Sequence, residues 1–263
     1  MFESPEKFPV LGLPVHLLDN YEHWLGARLY QKLGSHVVTL NSEMAMQAEG
    51  NEALTTIIQQ AELVIPDGSG VIFYLWLQGK RCQRCPGIEL AESLLRQAGQ
   101  LGGSCLVFFY GGAPGVAENA ARVWQERLPK LEFAGIQDGY LSPEAEQKLR
   151  ITLKEQQPSL ILVGLGVPRQ ELWIAQHRHL CPQGTWIGVG GSFDIWAGSK
   201  SRAPGWLRNN HLEWLYRLYQ EPWRWRRMMA LPQFAMKALS QRLKKLLSFG
   251  EELNPKADFN GDQ

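Results

Sequence analysis

The run VGLGVPRQE at residues 163–171 is the stretch on which the reading of this chain turns. An apolar, strand-like segment ends in Gly164 and Gly166, and Pro168 then opens a helix whose first turn carries Arg169, Gln170 and Glu171. Glycine has no Cβ, so backbone can approach a ligand closely there, and the free N–H groups of a helix N-terminus attract anions. The segment therefore suits a phosphorylated ligand.

Working outward, similar runs recur. Strands are expected at 36–40, 62–65, 104–110, 131–136, 159–164 and 185–189, with a separate edge strand or hairpin at 8–18. Helices are expected between them at 21–33, 43–60, 69–78, 87–101, 115–128, 142–156 and 168–178. This alternation predicts an α/β fold, a Rossmann-like and mostly parallel sheet with helices on both faces. Past the strands stand Thr39 and Asn41, Asp67 and Gly68, Gly111 and Gly112, Asp138 to Tyr140, Gly164 and Gly166, and Gly190, Gly191 and Asp194. Ligands of parallel α/β sheets bind beyond the carboxyl ends of the strands, so these clusters are expected to meet in one cleft. A nucleotide-sugar site is the reading that follows.

Composition agrees with a soluble α/β protein. The chain has 263 residues, 44% hydrophobic and 20% charged. No segment approaches the roughly 20 apolar residues of a membrane-spanning helix, and the start, MFESPEKFPV, carries no secretory pattern. A cytoplasmic location is expected. Cys82 and Cys85 have CxxC spacing, but Cys105 and Cys181 lie far apart, and unpaired thiols are the preferred reading over zinc or redox chemistry.

The net charge of +1 hides an asymmetry: residues 1–200 sum to −4, 201–245 to +8 and 246–263 to −3. The basic block also holds Trp206, Trp214, Trp223 and Trp225. Arginine and tryptophan together suit an anionic membrane surface better than nucleic acid, which is not expected as a partner. The chain thus divides into a core at 1–200, a helical appendage at 201–245 broken by Pro204, Pro222 and Pro232, and a disordered tail at 246–263. Monomer and homo-oligomer are both left open.

For chemistry, Asp67 at a strand end can accept a proton from an acceptor hydroxyl, or it can cap the helix that follows. Asn41 and Ser42 have the same dual reading. Gly111 and Gly112 before Pro114 make a cradle of amides, and Arg84 before Pro86 and Gly87 can neutralise a diphosphate. Gly164 and Gly166 lack the third glycine of a dinucleotide fingerprint, since Arg169 stands in its place, which argues against an oxidoreductase. A membrane or nucleic-acid module would explain 201–245 but leave the strand ends without purpose. No Asp-x-Asp pair occurs, so neither a metal nor any other cofactor is expected. His177 and His179 form no metal set.

These residues resemble the WecG/TagA/CpsF family of bacterial glycosyltransferases. The resemblance runs through Thr-Leu-Asn at 39–41, Pro-Asp-Gly at 66–68, Arg84 with Gly87, Gly-Gly-Ala-Pro-Gly-Val-Ala at 111–117, and Asp-Gly-Tyr at 138–140. It continues in the motif at 164–171, Gly-Val-Gly-Gly-Ser-Phe-Asp at 188–194, Ala-Gly at 197–198, Arg-Ala-Pro at 202–204, Glu-Trp-Leu-Tyr-Arg-Leu at 213–218 and Glu-Pro-Trp-Arg at 221–224. Arg169 departs from the family's commoner lysine and preserves its charge.

The resemblance implies an inverting, metal-independent transferase. It would move N-acetylmannosamine or its uronic acid from a UDP-sugar donor to a polyprenyl-diphosphate-linked sugar acceptor, at the inner face of the plasma membrane. It makes Asp67 the base, places Thr39 and Asn41 near the sugar, and has Arg84 and Gln170 position donor or acceptor. It sets Gly112, Tyr140 and Asp194 on the nucleotide side, and has Arg217, Arg224 and Arg227 reach the acceptor diphosphate.

Overall fold

The computed structural model describes residues 5–253. Its first element is a hairpin of β1 (Glu6–Val10) and β2 (Leu13–Leu17), turned by Leu11 and Gly12, both at positive φ. The hairpin form is the second of the two expected there. It lies against the edge of the main sheet, where His16 Nδ1 accepts from the Val64 amide at 2.8 Å. An edge amide that would otherwise be open to another chain is thereby satisfied.

The main sheet contains β3 (Ser35–Leu40), β4 (Leu63–Pro66), β5 (Val107–Gly111), β6 (Phe133–Gln137), β7 (Leu160–Gly164) and β8 (Thr185–Gly188). All pairings are parallel, in the order β4-β3-β8-β7-β5-β6. Alternation along each strand splits the core in two. Val37, Ile65, Phe109, Leu162 and Ile187 face one layer, with α1 (Tyr21–Tyr30) and the helices Gly87–Leu101 and Val116–Arg127. Val38, Val64, Phe108, Ile161 and Trp186 face the other. Strands buried on both faces read as near-continuous apolar runs, which is why they were visible in the sequence.

The connecting helices are α2 (Ser42–Glu49), α3 (Glu52–Gln60), α4 (Ser69–Leu77), α5 (Gly87–Leu101), α6 (Val116–Arg127), α7 (Pro143–Gln156), α8 (Arg169–His177) and α9 (Ser192–Trp196). The single helix expected over 43–60 is two, because Gly50 ends the first and the Asn51 side chain accepts from the Leu54 amide to start the second. The four cysteines are free.

Beyond residue 200 come α10 (Gly205–Asn209), α11 (Glu213–Gln220), a short 3-10 turn at Pro222–Arg224, α12 (Trp225–Met228) and α13 (Ala230–Leu253). Pro232 does not break the chain as expected. It lies in the first turn of α13, where a missing N–H costs no helical hydrogen bond. The helix also runs into the expected tail as far as Leu253, and 254–263 lie outside the described residues. α13 folds back on α2 and α4: Phe234 and Ala238 are buried in that layer, Tyr74 donates to Gln241 at 2.6 Å, and Lys237 pairs with Glu49.

Candidate active site

The carboxyl ends of β3, β4, β7 and β8 face α11 and α12 across two adjoining cavities. One is bounded by Thr39, Asn41, Asp67, Arg84, Gln170 and the Gly188–Ser192 turn, with Lys200, Arg217 and Arg224 from the later segment. The other lies between the start of α4 and the residues His211, Trp214, Arg217, Arg224 and Arg227. Asn41, Asp67, Arg84, Glu213, Arg217 and Arg224 border both. A group in this shared wall can touch molecules on either side.

Asp67 follows β4 directly, and its amide bonds to the Leu40 carbonyl at 3.0 Å, which fixes the strand end. It does not cap the helix that follows: the N-cap of α4 is Gly68, and no side chain caps that helix. Asp67 Oδ1 instead accepts from the Gly87 amide at 3.0 Å, the first N–H of α5. Gly87 is required for that approach, since a Cβ there would stand 2.5 Å from Thr39 Cγ2. The Asp67 side chain is 24% exposed, and Oδ2 has no hydrogen-bond partner among the described residues. Burial pushes this carboxyl above its ordinary range, outweighing Arg84, Arg217 and the Gly87 amide, and Glu213 acts in the same direction as burial.

Arg84 sits on the α4–α5 loop, tied down by the Cys85 amide on the Pro66 carbonyl at 3.1 Å. Its Nε donates to the main-chain oxygen of Asp67, and its Nη2 reaches Glu213 Oε2 at 2.9 Å and lies 4.0 Å from Asp67 Oδ1. Glu213 Oε1 in turn pairs with Arg217 at 2.9 Å. Burial alone would raise the Glu213 carboxyl, but Arg217 and Arg84 outweigh it and hold it below the usual range. Glu221 pairs with Arg224 at 2.6 Å and Lys200 at 3.2 Å, and Arg227 lies 3.7 Å from Glu43. The arginines expected to meet an anion are therefore already held by carboxylates.

The other expected site residues divide. Thr39 is buried and donates to the Gly188 carbonyl at 3.3 Å. Asn41 caps α2 through the Met44 amide at 3.0 Å and also borders both cavities, so its two readings coexist. Gln170 is buried, and its Oε1 accepts from both the Gly166 amide at 3.2 Å and the Gly190 amide at 3.1 Å, strapping the β7 and β8 ends together. Its Nε2 donates to Glu171, whose carboxylate also holds His36 at 2.8 Å.

Gly112, Tyr140 and Asp194 stand apart from the walls around Asp67. Gly112 belongs to a tight seam, its amide on the Gly164 carbonyl at 3.1 Å and its carbonyl taking the Gly139 amide at 2.9 Å. A Cβ on Gly111 would lie 2.5 Å from Gly164 backbone. These glycines bring strand ends together instead of opening a groove. Tyr140 is 75% exposed, and Asp194 pairs with Lys200 at 3.6 Å. The sequence reading gave no role to Glu213 and Glu221; their spacing to Arg217 and Arg224 is a local signal, but their contacts with Arg84 and Lys200 are not visible in sequence.

A carboxylate flanked by arginines at the carboxyl edge of a parallel sheet suits transfer of a group from a phosphorylated donor. Comparison with known proteins agrees: residues 8–247 match the model of the glycosyl transferase WecG/TagA/CpsF family. A Bacillus spizizenii protein is 40% identical over 213 residues, covering 80% of this chain and 81% of that one. A Bacillus subtilis protein is 33% identical over 216 residues, covering 82% and 83%. Both carry the name N-acetylglucosaminyldiphosphoundecaprenol N-acetyl-beta-D-mannosaminyltransferase. This chain belongs to the WecG/TagA/CpsF family and is a glycosyltransferase.

Proposed function

We propose that this enzyme transfers N-acetylmannosamine from a UDP-sugar to a GlcNAc-diphospho-polyprenol, with inversion and without a metal. The observation that carries the reading is the place of Asp67 in the wall common to the two cavities. With donor on the Gln170 side and acceptor on the Arg227 side, the acceptor hydroxyl forms the new bond to the sugar anomeric carbon. The bond to the UDP oxygen breaks, its electron pair leaves with UDP, and the hydroxyl proton passes to Asp67. A carboxyl raised above its usual range is a stronger base for that step.

Charge on the departing diphosphate would be met by Arg84, still paired with Glu213, and the acceptor diphosphate by Arg217, Arg224 and Arg227, whose guanidinium donors can serve a phosphate oxygen beside the present carboxylate partner. Thr39 and Asn41 are assigned to the sugar. Gly112, Tyr140 and Asp194 would reach only an outlying part of the nucleotide. A screen of UDP-hexose donors against a short-chain GlcNAc-diphospholipid tests the reading. Turnover with UDP-N-acetylmannosamine supports it, and turnover only with another hexose or with the uronic acid replaces the donor assignment.

The segment after residue 200 supports a location at the inner face of the plasma membrane. Among the described residues no helix is long and apolar enough to cross a bilayer. Trp206, Tyr219, Trp223 and Trp225 are exposed, as are Met236, Leu239, Leu243 and Leu247 on the face of α13 opposite Phe234 and Ala238. Aromatic and apolar side chains beside arginines suit the headgroup boundary, where each basic residue contributes about 1 kcal/mol.

A further inference from the structure

Of the side chains that the later segment brings to the core's site, Glu213 is the one that touches Arg84. Glu213, the first residue of α11, has a side chain only 7% exposed although its helix is on the surface. It lies 129 positions from Arg84 in sequence and 2.9 Å from it in space. Asp67, Arg84, Glu213 and Arg217 form a line of alternating charge with no net charge.

In that line one guanidinium is shared by two carboxylates, and it is not shared equally. Arg84 Nη2 is at hydrogen-bond distance from Glu213 but 4.0 Å from Asp67 Oδ1. We infer that Glu213 is a positioning residue for the transfer reaction, holding Arg84 off the Asp67 carboxylate while it aligns Arg217. Removing its charge leaves Asp67 as the nearest counter-ion of Arg84. The pair then closes and stabilises the ionised carboxylate, and a more acidic carboxyl is a poorer proton acceptor. The inference rests on the assignment of Asp67 as the base.

The other groups around Asp67 do not take over this role. Arg84 and Cys85 approach on the α4–α5 loop, Glu213 and Arg217 on α11. Arg224, Arg227 and His211 border the same cavities, and the two arginines have partners of their own in Glu221 and Glu43. Among the described residues, Glu213 is the one carboxylate that both touches Arg84 and raises the Asp67 carboxyl.

The test is the pH dependence of kcat for the full-length wild type, Glu213→Gln and Glu213→Asp, with UDP-N-acetylmannosamine and a short-chain GlcNAc-diphospholipid. Asp67→Asn is measured alongside. In Glu213→Gln the acid limb should move down by about one pH unit, and kcat on the plateau should fall more than the donor KM changes. Glu213→Asp keeps the charge but shortens the reach, so Arg84 partly closes on Asp67 and the limb should move down by less than in Glu213→Gln. A merely structural role would lower activity at every pH without moving the limb.

A wild-type limb in Glu213→Gln overturns the inference. Should that variant not fold, Glu213→Asp decides: a limb moved down supports the inference, and a limb at the wild-type pH overturns it. An active Asp67→Asn would instead sink the assignment of the base. An inactive Asp67→Asn with an unmoved Glu213→Gln limb removes only the role of Glu213.

Discussion

Replacing Asp67 by Asn separates a base from a structural anchor. The amide oxygen can still accept from the Gly87 N–H, now at 3.0 Å, so the start of α5 keeps its tie to β4. The charge lost is one that Arg84 does not depend on, because Glu213 holds that guanidinium at 2.9 Å. Burial disfavours the ionised form of Asp67 more than its cationic neighbours favour it, so a neutral side chain relieves desolvation and costs the fold little. Stability should stay within about 1 kcal/mol of wild type. Turnover should fall by on the order of 10²–10⁴, the usual contribution of a positioned base, which is about 2.7–5.5 kcal/mol on the barrier. The assay is turnover with a UDP-sugar donor and a soluble GlcNAc-diphospholipid, accompanied by UDP calorimetry and a melting curve. Activity within a few-fold of wild type would leave Asp67 as an anchor for α5. Loss of UDP binding or a melting point lowered by many degrees would likewise refute the reasoning, because the defect would then be structural.

Incubation with EDTA should leave turnover unchanged, since arginines are assigned to the diphosphate; loss on chelation, restored by Mg²⁺ or Mn²⁺, would contradict it. Acid should destabilise the fold through His16, whose pKa burial lowers to about 4 from 6.5. The unfolded chain binds the extra proton first, so stability falls as pH drops from 6.5 toward 4, by about 3 kcal/mol at the lower end. His16→Asn should flatten that slope in denaturant titrations from pH 4 to 7, and an unchanged slope would clear His16 of the effect. Sedimentation with anionic vesicles should be strong at low salt and weak at high salt, and Trp223→Ala with Trp225→Ala and Arg226→Gln should weaken it. Equal pelleting of wild type and variant would move the membrane contact elsewhere.

Much of the architecture was legible because a parallel sheet writes itself in short apolar runs closed by glycine or polar residues. The six expected strands all form, though β5 and β6 begin at Val107 and Phe133, later than the apolar runs do. Gly50 and Asn51 were a readable break that the apolar spacing around them concealed. Pro232 misled because a proline's effect depends on its place in a helix, and tertiary contacts set where α13 starts. Asp67 and Arg84 could be singled out from neighbouring residues in sequence. Glu213 could not, since a contact spanning 129 positions leaves no local pattern. The glycine turns pointed to close backbone approach, but sequence does not say whether backbone meets ligand or other backbone. At Gly111, Gly112 and Gly139 it meets other backbone.

The return of α13 to the core has a consequence for biosynthesis. Phe234 and Ala238 fill the layer that Met44, Val71 and Leu75 also line, and the Tyr74–Gln241 bond spans 167 positions. On the ribosome, the layer of α2 and α4 must therefore wait with an apolar flank uncovered until α13 emerges. Such a wait slows folding and invites association of unfinished chains. It also means that a product terminated before residue 213 would lack both the cover for that flank and the carboxylate at Glu213. A partial chain would then be recognisable to quality control by its exposed face before it could act on a lipid-linked sugar.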